Sequence, residues 1–546
     1  MSSFRVCFCF WRRFRIREPE PPHDIRNLFL QYSENGAMDI DHLHRFLIEV
    51  QGEKDVTRET AEEIFHSVKH LSIFKKGSLH LHAFFWYLMG EYNSPLPQLP
   101  VHHEMNAPLA HYYLYTGHNS YLTGNQLTSD CSSKPIKKAL LKGVRVIELD
   151  LWPNATGDKV EVRHGGALTA PVDLQNCLNI TRDHAFSASD YPVVITFEDH
   201  LTSPLQAKMV SKTFGEKLYL PESESLPEFP SPESLVGKIM ISTKPPKEYL
   251  EKQDSTSENA RQEEADEGEE EPEEDGANAP EYKKMIAIHA GKPKGGVENW
   301  LRIDVSKVRR LSLSEQELEA IARSHGCEIV RFTQRNMLRI YPKGTRFDSS
   351  NYNPLLGWMH GAQMVAFNMQ GYDKHLWIMQ GMFRANGGCG YVKKPDLLLN
   401  EKEIFNPAEL LPVKLTLKVT LYLGEGWHLD FRKTHFDLYS PPDFFTMVGI
   451  AGVPADTQMK KTKAIEDEWV PIWNQEFRFP LRVPELAILR ILVLEYDTSG
   501  NHDFGGQTCL PVSELREGIR AVPLYSRRSE KYNSVKLLMR FQFLPT

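Results

Sequence analysis

Residues 143–152 read "GVRVIELDLW", an apolar run that carries two acids, Glu148 and Asp150. Side chains of an extended chain alternate between faces, so Ile147, Leu149 and Leu151 share one face while Val144, Val146, Glu148 and Asp150 share the other. The first face is oily beyond Arg145; the second turns acidic at its C-terminal end. An unpaired carboxylate is costly to desolvate, and two on one face repel unless one is protonated or a positive charge lies between them. The pattern predicts a buried strand whose end faces a cation, and a metal ion is the simplest candidate.

The surroundings extend this reading. Over residues 104–250, β-rich runs alternate with polar, helix-compatible stretches: "HYYLYT", "GVRVIELD", "KVEVRH", "PVVITFE" and "KIMIST". That alternation predicts a parallel sheet covered by helices, and over this length a barrel fits better than an open sheet. Residues 251–283 break the pattern with Ser, Glu, Asp, Gly and Pro, the composition of a disordered acidic linker. Strand signals resume at "MLRIYP" and "AQMVAFNM", so residues 284–396 are expected to complete the same barrel as its second half.

Catalytic groups of an α/β barrel come from the C-terminal ends of its strands. His118 and Asn119 follow "YYLYT", Glu148 and Asp150 end the opening strand, His164 ends "KVEV", Glu198 ends "PVVITF" and Lys244 ends "KIMIST". One strand-end acid is ordinarily a solvated edge, and one histidine is more often structural than catalytic; five successive polar strand ends are harder to dismiss. Asn119, Glu148, Asp150 and Glu198 offer only hard oxygen ligands, which suit calcium or magnesium and not zinc, with calcium the better fit to three carboxylates. Two imidazoles and a lysine beside such an ion are a reasonable set for attack at a phosphodiester.

Composition bounds the rest. The chain has 546 residues, enough for several domains, and a formal net charge of -8. Glu263 to Asp275 alone supplies ten acids, so the remainder is close to neutral and slightly basic. This balance points to no nucleic-acid partner. Seven cysteines without a Cys-x-x-Cys pair argue against a disulfide framework and for a reducing compartment. No apolar run reaches the roughly 18–20 residues of a spanning helix, and no signal peptide is apparent.

Residues 1–23 mix Phe and Trp with Arg, a tail suited to an anionic membrane, and Cys7 and Cys9 are candidate acylation sites. Residues 24–95 show helical periodicity and read as an EF-hand-like lobe. When Gly36 is aligned with the glycine of a calcium loop, Gln31 and His42 fall at the first and last ligand positions, so the lobe is expected to be structural. Residues 412–546 change to short β runs with turn signals, a β-sandwich.

"GHNSYLTGNQL", "GVRVIELDLW", "RHGGALT" and "SDYPVVITFEDH", followed by "LRIYPKGTRFDSSNYNP" and "NGGCGYVKKP", resemble the X and Y halves of eukaryotic phosphoinositide-specific phospholipase C. The short helical lobe and the directly following sandwich are similar to the plant-type enzymes. The resemblance implies a multidomain α/β plus all-β chain: a split TIM-like barrel, an N-terminal EF-hand-like lobe and a C-terminal C2 domain. It implies calcium held by Asn119, Glu148, Asp150 and Glu198, with Glu148 or Asp150 as base toward the inositol 2-hydroxyl. His118 would stabilise the pentacoordinate phosphorane and His164 would protonate the leaving diacylglycerol oxygen. Lys244, Ser312, Arg339 and Tyr341 fall where the family contacts the headgroup. Pro246 stands where the family often has a second basic residue, which leaves headgroup preference open.

The sandwich resembles a C2 domain through "PIWNQEF", and its candidate calcium ligands are Asp437, Asp443, Glu495, Asp497 and Asp503. The expected partners are phosphoinositide lipids and an anionic membrane, with the chain a monomer peripheral to the inner face of the plasma membrane. Two other readings fit part of the pattern: a calcium-dependent membrane scaffold with an inactive barrel, and a glycerophosphodiester phosphodiesterase. The latter typically has His-Arg where this chain has His118-Asn119.

Overall fold

A computed structural model describes residues 18–68, 78–168, 170–201, 205–223, 225–244, 282–432, 435–436, 439–498 and 500–546, with parts of residues 2–16. The chain divides into two compact units, Leu99–Glu409 on one hand and Met1–Gln98 with Leu410–Thr546 on the other.

The unit Leu99–Glu409 is a closed parallel barrel. Its strands are β1 Tyr112–Leu114, β2 Val146–Pro153, β3 Val193–Asp199 and β4 Ile239–Thr243, then β5 Ile286–His289, β6 Arg310–Ser314, β7 Met337–Tyr341 and β8 Met364–Val365. Parallel ladders join β2 to β3 to β4 to β5 and β6 to β7 to β8. Parallel bridges Thr116–Val146, Ala290–Arg310 and Gly117–Phe367 close the ring. Between β4 and β5, residues 245–281, which hold most of the expected acidic linker, lie outside the described residues.

The period of two sorts the barrel interior into layers. Leu114, Val146, Val194, Met240, Ile288, Met337 and Met364 belong to one buried apolar cluster. Two residues further along their strands come Thr116, Glu148, Thr196, Ser242 and Arg339, all buried and polar. Another step brings His118, Asp150, Glu198, Lys244, Tyr341 and Asn368. Most strands thus climb from an oily floor to a polar mouth; on β6 the floor position is Arg310, level with Met337.

One strand assignment differs from expectation. "KVEVRH" is not a barrel strand: Val160–Val162 pairs antiparallel with the far end of β2, Leu151 opposite Val162, and then with Val172–Asp173. The β2 ladder overshoots the barrel and the chain folds back along it. His164 therefore reaches the mouth from a loop after this return strand.

Arg145, just before β2, is fully buried, and among the described residues no carboxylate pairs with it. Its guanidinium donates to the carbonyls of Val144 (2.9 Å), Ala185 (2.7 Å), Ser189 (3.0 Å) and Leu140 (3.3 Å). Burial pulls its pKa down to about 10, still charged at neutral pH. Gly390 lets this happen: at φ 83° it passes so close that a Cβ would lie 2.6 Å from Arg145 Cγ. Arg145→Met should strand several buried carbonyls at about 1–3 kcal/mol each. The expected loss, above about 3 kcal/mol, is read from the urea midpoint.

The second unit joins helices and a sandwich. Helices α1 His23–Gln31, α2 Ile40–Glu49, α3 Arg58–Val68 and α4 Leu81–Leu88 form the lobe. Its two loops pair through Met38 and Leu79, which exchange hydrogen bonds of 2.9 and 2.7 Å as in an EF-hand pair. The sandwich strands are β9 Leu415–Glu425, β10 Phe444–Ala451, β11 Gln458–Lys461, β12 Ile472–Leu481, β13 Ile488–Glu495, β14 Asp503–Pro511, β15 Gly518–Tyr525 and β16 Lys531–Pro545. They run in the order β11-β10-β13-β14-β15-β16-β9-β12. Tyr422, Leu423, Ile519 and Leu538 of the sandwich share the lobe's core. Gln51 and Asn93 of the lobe bond to Ile519, and Arg520 pairs with Glu53 at 2.7 Å.

Candidate active site

The barrel mouth gathers Glu148, Asp150 and Glu198, one oxygen of each lying within 4.8 Å of the others. Register explains the convergence: Asp150 and Glu198 are paired neighbours on β2 and β3. Asn119 sits beside them with φ 42°, a left-handed conformation that asparagine tolerates. Its backbone N–H donates to Glu148 Oε2 at 3.1 Å, and its side-chain nitrogen donates to Gln126 at 3.0 Å.

The three carboxylates are held differently. Glu148 is gripped by Arg339, whose Nη2 donates to its Oε1. Asp150 accepts from the Tyr121 hydroxyl at 2.6 Å through Oδ2, while Oδ1 is buried with no hydrogen-bond partner among the described residues. Burial, then the charges of Glu198 and Glu148, drive its pKa well above the carboxylate range. Glu198 is held below that range chiefly by its bond from His200 Nε2, 3.0 Å away. His200 in turn stacks on Trp152 at 3.9 Å.

Both imidazoles are locked in one tautomer. His118 Nδ1 donates to Asn368 Oδ1 at 3.0 Å, and His164 Nδ1 donates to the Gln126 carbonyl at 2.9 Å. Each partner atom is an oxygen that only accepts, so Nε2 is the nitrogen left for chemistry. His118 Nε2 lies 4.0 Å from Glu148. Burial lowers the pKa of His118, against the pull of Glu148.

Ser312 and Arg339 are paired across β6 and β7, and the Arg339 guanidinium lies 5.6 Å from the Tyr341 ring centre. Lys244 is exposed just after β4. Leu127 and Leu168 are hydrogen-bonded neighbours on the surface, 41% and 91% exposed.

The family models for the X and Y domains of phosphatidylinositol-specific phospholipase C match residues 105–245 and 299–397, and that for the C2 domain matches 416–526. Phosphoinositide phospholipase C 2 of Arabidopsis thaliana is 58% identical over the whole of both chains. The chain belongs to the phosphoinositide phospholipase C family. The mouse 1-phosphatidylinositol 4,5-bisphosphate phosphodiesterase delta-3 is 31% identical, with 95% of this chain and 67% of that protein covered. The crystal structure of L. pealei PLC21 superposes with a TM-score of 0.78 at 25% identity, over 96% of this chain and 69% of that one. This phospholipase C is therefore a phosphoric diester hydrolase of phosphoinositides, with a C2 domain and an N-terminal helical lobe.

Some functional groups escape the strand-end reading. Asn368 follows β8 by three residues, and its position after "MVAF" is the available signal. Gln126, Tyr121 and His200 lie in loops without periodicity. Arg310 starts β6 and lies buried, donating to Thr196 (3.1 Å) and Ser242 (2.9 Å).

In the sandwich, Asp443 accepts from the Asp467 N–H at 2.7 Å. Glu495 is buried, opposite Asp503 on the next strand, and the Asp497 N–H donates to His502 at 3.1 Å. Among the described residues these acids do not close to the spacing of the barrel trio. Asp437 lies outside the described residues.

Proposed function

We propose that the enzyme is calcium-dependent and hydrolyses phosphatidylinositol 4,5-bisphosphate and related lipids as a monomer at the inner face of the plasma membrane. The observation that carries this reading is the trio Glu148, Asp150 and Glu198, one of whose buried oxygens has no partner. Three crowded carboxylates with an orphaned oxygen fit a hard divalent cation. Asn119, with its nitrogen committed to Gln126, would add its amide oxygen. When bound, calcium would make the inositol 2-hydroxyl more acidic and offset charge building on the phosphate.

Glu148 takes the proton of the 2-hydroxyl, whose oxygen attacks the adjacent phosphorus. His164, entering the step as an imidazolium with Nδ1–H held by the Gln126 carbonyl, gives its Nε2 proton to the departing diacylglycerol oxygen, leaving a neutral imidazole and a cyclic inositol phosphodiester. Water then opens the ring with these roles reversed, yielding inositol phosphate. His118, neutral in the resting site, takes a proton from solvent at Nε2 as the phosphodiester monoanion enters beside it, and so becomes a donor to the phosphorane oxygens, on which a second negative charge builds. Arg339 with Lys244 and Ser312 grips headgroup phosphate, and Tyr341 packs on the inositol ring.

Leu127 and Leu168 supply an apolar rim that enters the bilayer. Asp437, Asp443, Glu495, Asp497 and Asp503 of the C2 domain bind calcium together with anionic lipid.

The test is release of water-soluble inositol phosphate from phosphatidylinositol 4,5-bisphosphate vesicles across a calcium titration. Turnover should vanish in chelator and return with calcium; undiminished turnover in chelator would refute the reading. In the same titration, Asp497→Asn with Asp503→Asn should raise the calcium needed for vesicle sedimentation several-fold without changing hydrolysis of a soluble cyclic inositol phosphate.

A further inference from the structure

Arg339 has one guanidinium and two claims on it. It bonds Glu148, and on the reading above it also grips headgroup phosphate. Glu148 is likewise doubly claimed, as a ligand of the cation and as the partner of Arg339. The two claims on each residue are settled by charge. Without a cation, the mouth holds three carboxylates, and Arg339 supplies the positive charge nearest to Glu148. Once a divalent ion arrives, the guanidinium and the ion are like charges competing for the same carboxylate, at a separation where the interior screens them poorly.

We propose that Arg339 and the cation exchange places on Glu148. Arg339 holds the carboxylate while the cation is absent, and cation binding releases the guanidinium to the headgroup phosphate. While bonded to Glu148 the guanidinium already lies over the Tyr341 ring, and among the described residues its Nε has no hydrogen-bond partner, so the ring can support it and a donor remains for phosphate once Glu148 lets go. Arg310 is no substitute for Arg339, because its Nη1 is bound to Thr196 and Ser242 and it makes no bond to Glu148. The consequence is thermodynamic. Cation and headgroup bind with positive coupling, and by linkage each raises the affinity of the other by the same factor. An enzyme so built grips its lipid firmly only after the cation is in place.

This inference rests on the calcium reading above, and the experiment separates the two. Calorimetric titrations of the full-length protein with calcium chloride are run alone and with saturating inositol 1,4,5-trisphosphate; the barrel site is identified as the calcium uptake lost in Asp150→Asn. Wild type should show coupling of about 5–150-fold in both directions. Arg339→Met should bind calcium about tenfold more tightly than wild type without the headgroup, a difference of about 1.4 kcal/mol, and its coupling should largely disappear. Arg310→Met removes the same charge from the neighbouring strand and should tighten calcium binding much less. Equal tightening in the two variants would mean charge alone, and would overturn the exchange. So would a crystal structure of calcium-loaded wild type in which Arg339 still bonds Glu148, a readout that needs no variant to fold. A wild type with no calcium uptake in the barrel would remove the calcium reading itself and this inference with it.

Discussion

His118→Ala should lower phosphoinositide turnover by about 10²–10⁴-fold at saturating calcium, with calcium uptake and thermal midpoint close to wild type. The size of the effect follows from how the ring is held. Nδ1 is spent on Asn368 and Nε2 faces the mouth, 4.0 Å from Glu148. The truncation therefore removes the donor aimed at the developing phosphorane and leaves the carboxylates in place. Asn368→Ala should produce a smaller loss of the same kind, because it frees the ring to rotate and to change tautomer without deleting it. Vesicle assays with both variants, alongside circular dichroism, check the pair. Turnover within tenfold of wild type for His118→Ala would remove that imidazole from the chemistry.

Much of this site is legible because strand parity is strict. Glu148, Asp150 and Glu198 can be placed on inward faces from alternation alone, and their meeting follows once β2 and β3 are neighbours in register. Parity fails where the strand itself is misassigned. "KVEVRH" alternates like a barrel strand, yet it is the return leg of an overshooting β2, and nothing local distinguishes an antiparallel partner from a parallel one. The fifth and sixth strands are hard to see for different reasons. β5, "IAIH", is four residues long and follows the acidic segment, and β6, "RLSLS", opens on an arginine that local reading assigns to a surface. Arg310 and Arg145 are buried only because distant hydroxyls and carbonyls converge on them, and no window of sequence contains that convergence. The same holds for the tautomer locks, since Asn368 meets His118 across 250 residues of chain.

Asp150→Asn should abolish calcium-dependent turnover and, in chelator at neutral pH, stabilise the protein by about 1–3 kcal/mol, the range for a buried polar group without a partner. Oδ1 of Asp150 is that group. An amide in its place keeps an oxygen for the Tyr121 hydroxyl and turns a nitrogen donor toward Glu148 and Glu198. The pH dependence distinguishes this cause from a general packing effect. Asp150 has its folded pKa raised by burial and by its two acidic neighbours. A carboxyl raised in this way holds its proton more tightly in the native state, so this group's contribution to native stability is greatest below the unfolded pKa of about 4 and is lost as pH rises through the folded value. Glu198 works in the opposite sense, its folded pKa being lowered by His200, but it is present in both proteins and largely cancels in the comparison. The stability gap between variant and wild type in chelator should therefore be small near pH 4 and widen toward neutrality. Calcium should close the gap, because it stabilises the wild type by mass action and has no equivalent site in the variant. Thermal midpoints across pH 4–8, with chelator and with calcium, measure all three trends. Parallel curves for the two proteins would mean that Asp150 is not the strained carboxylate of the mouth.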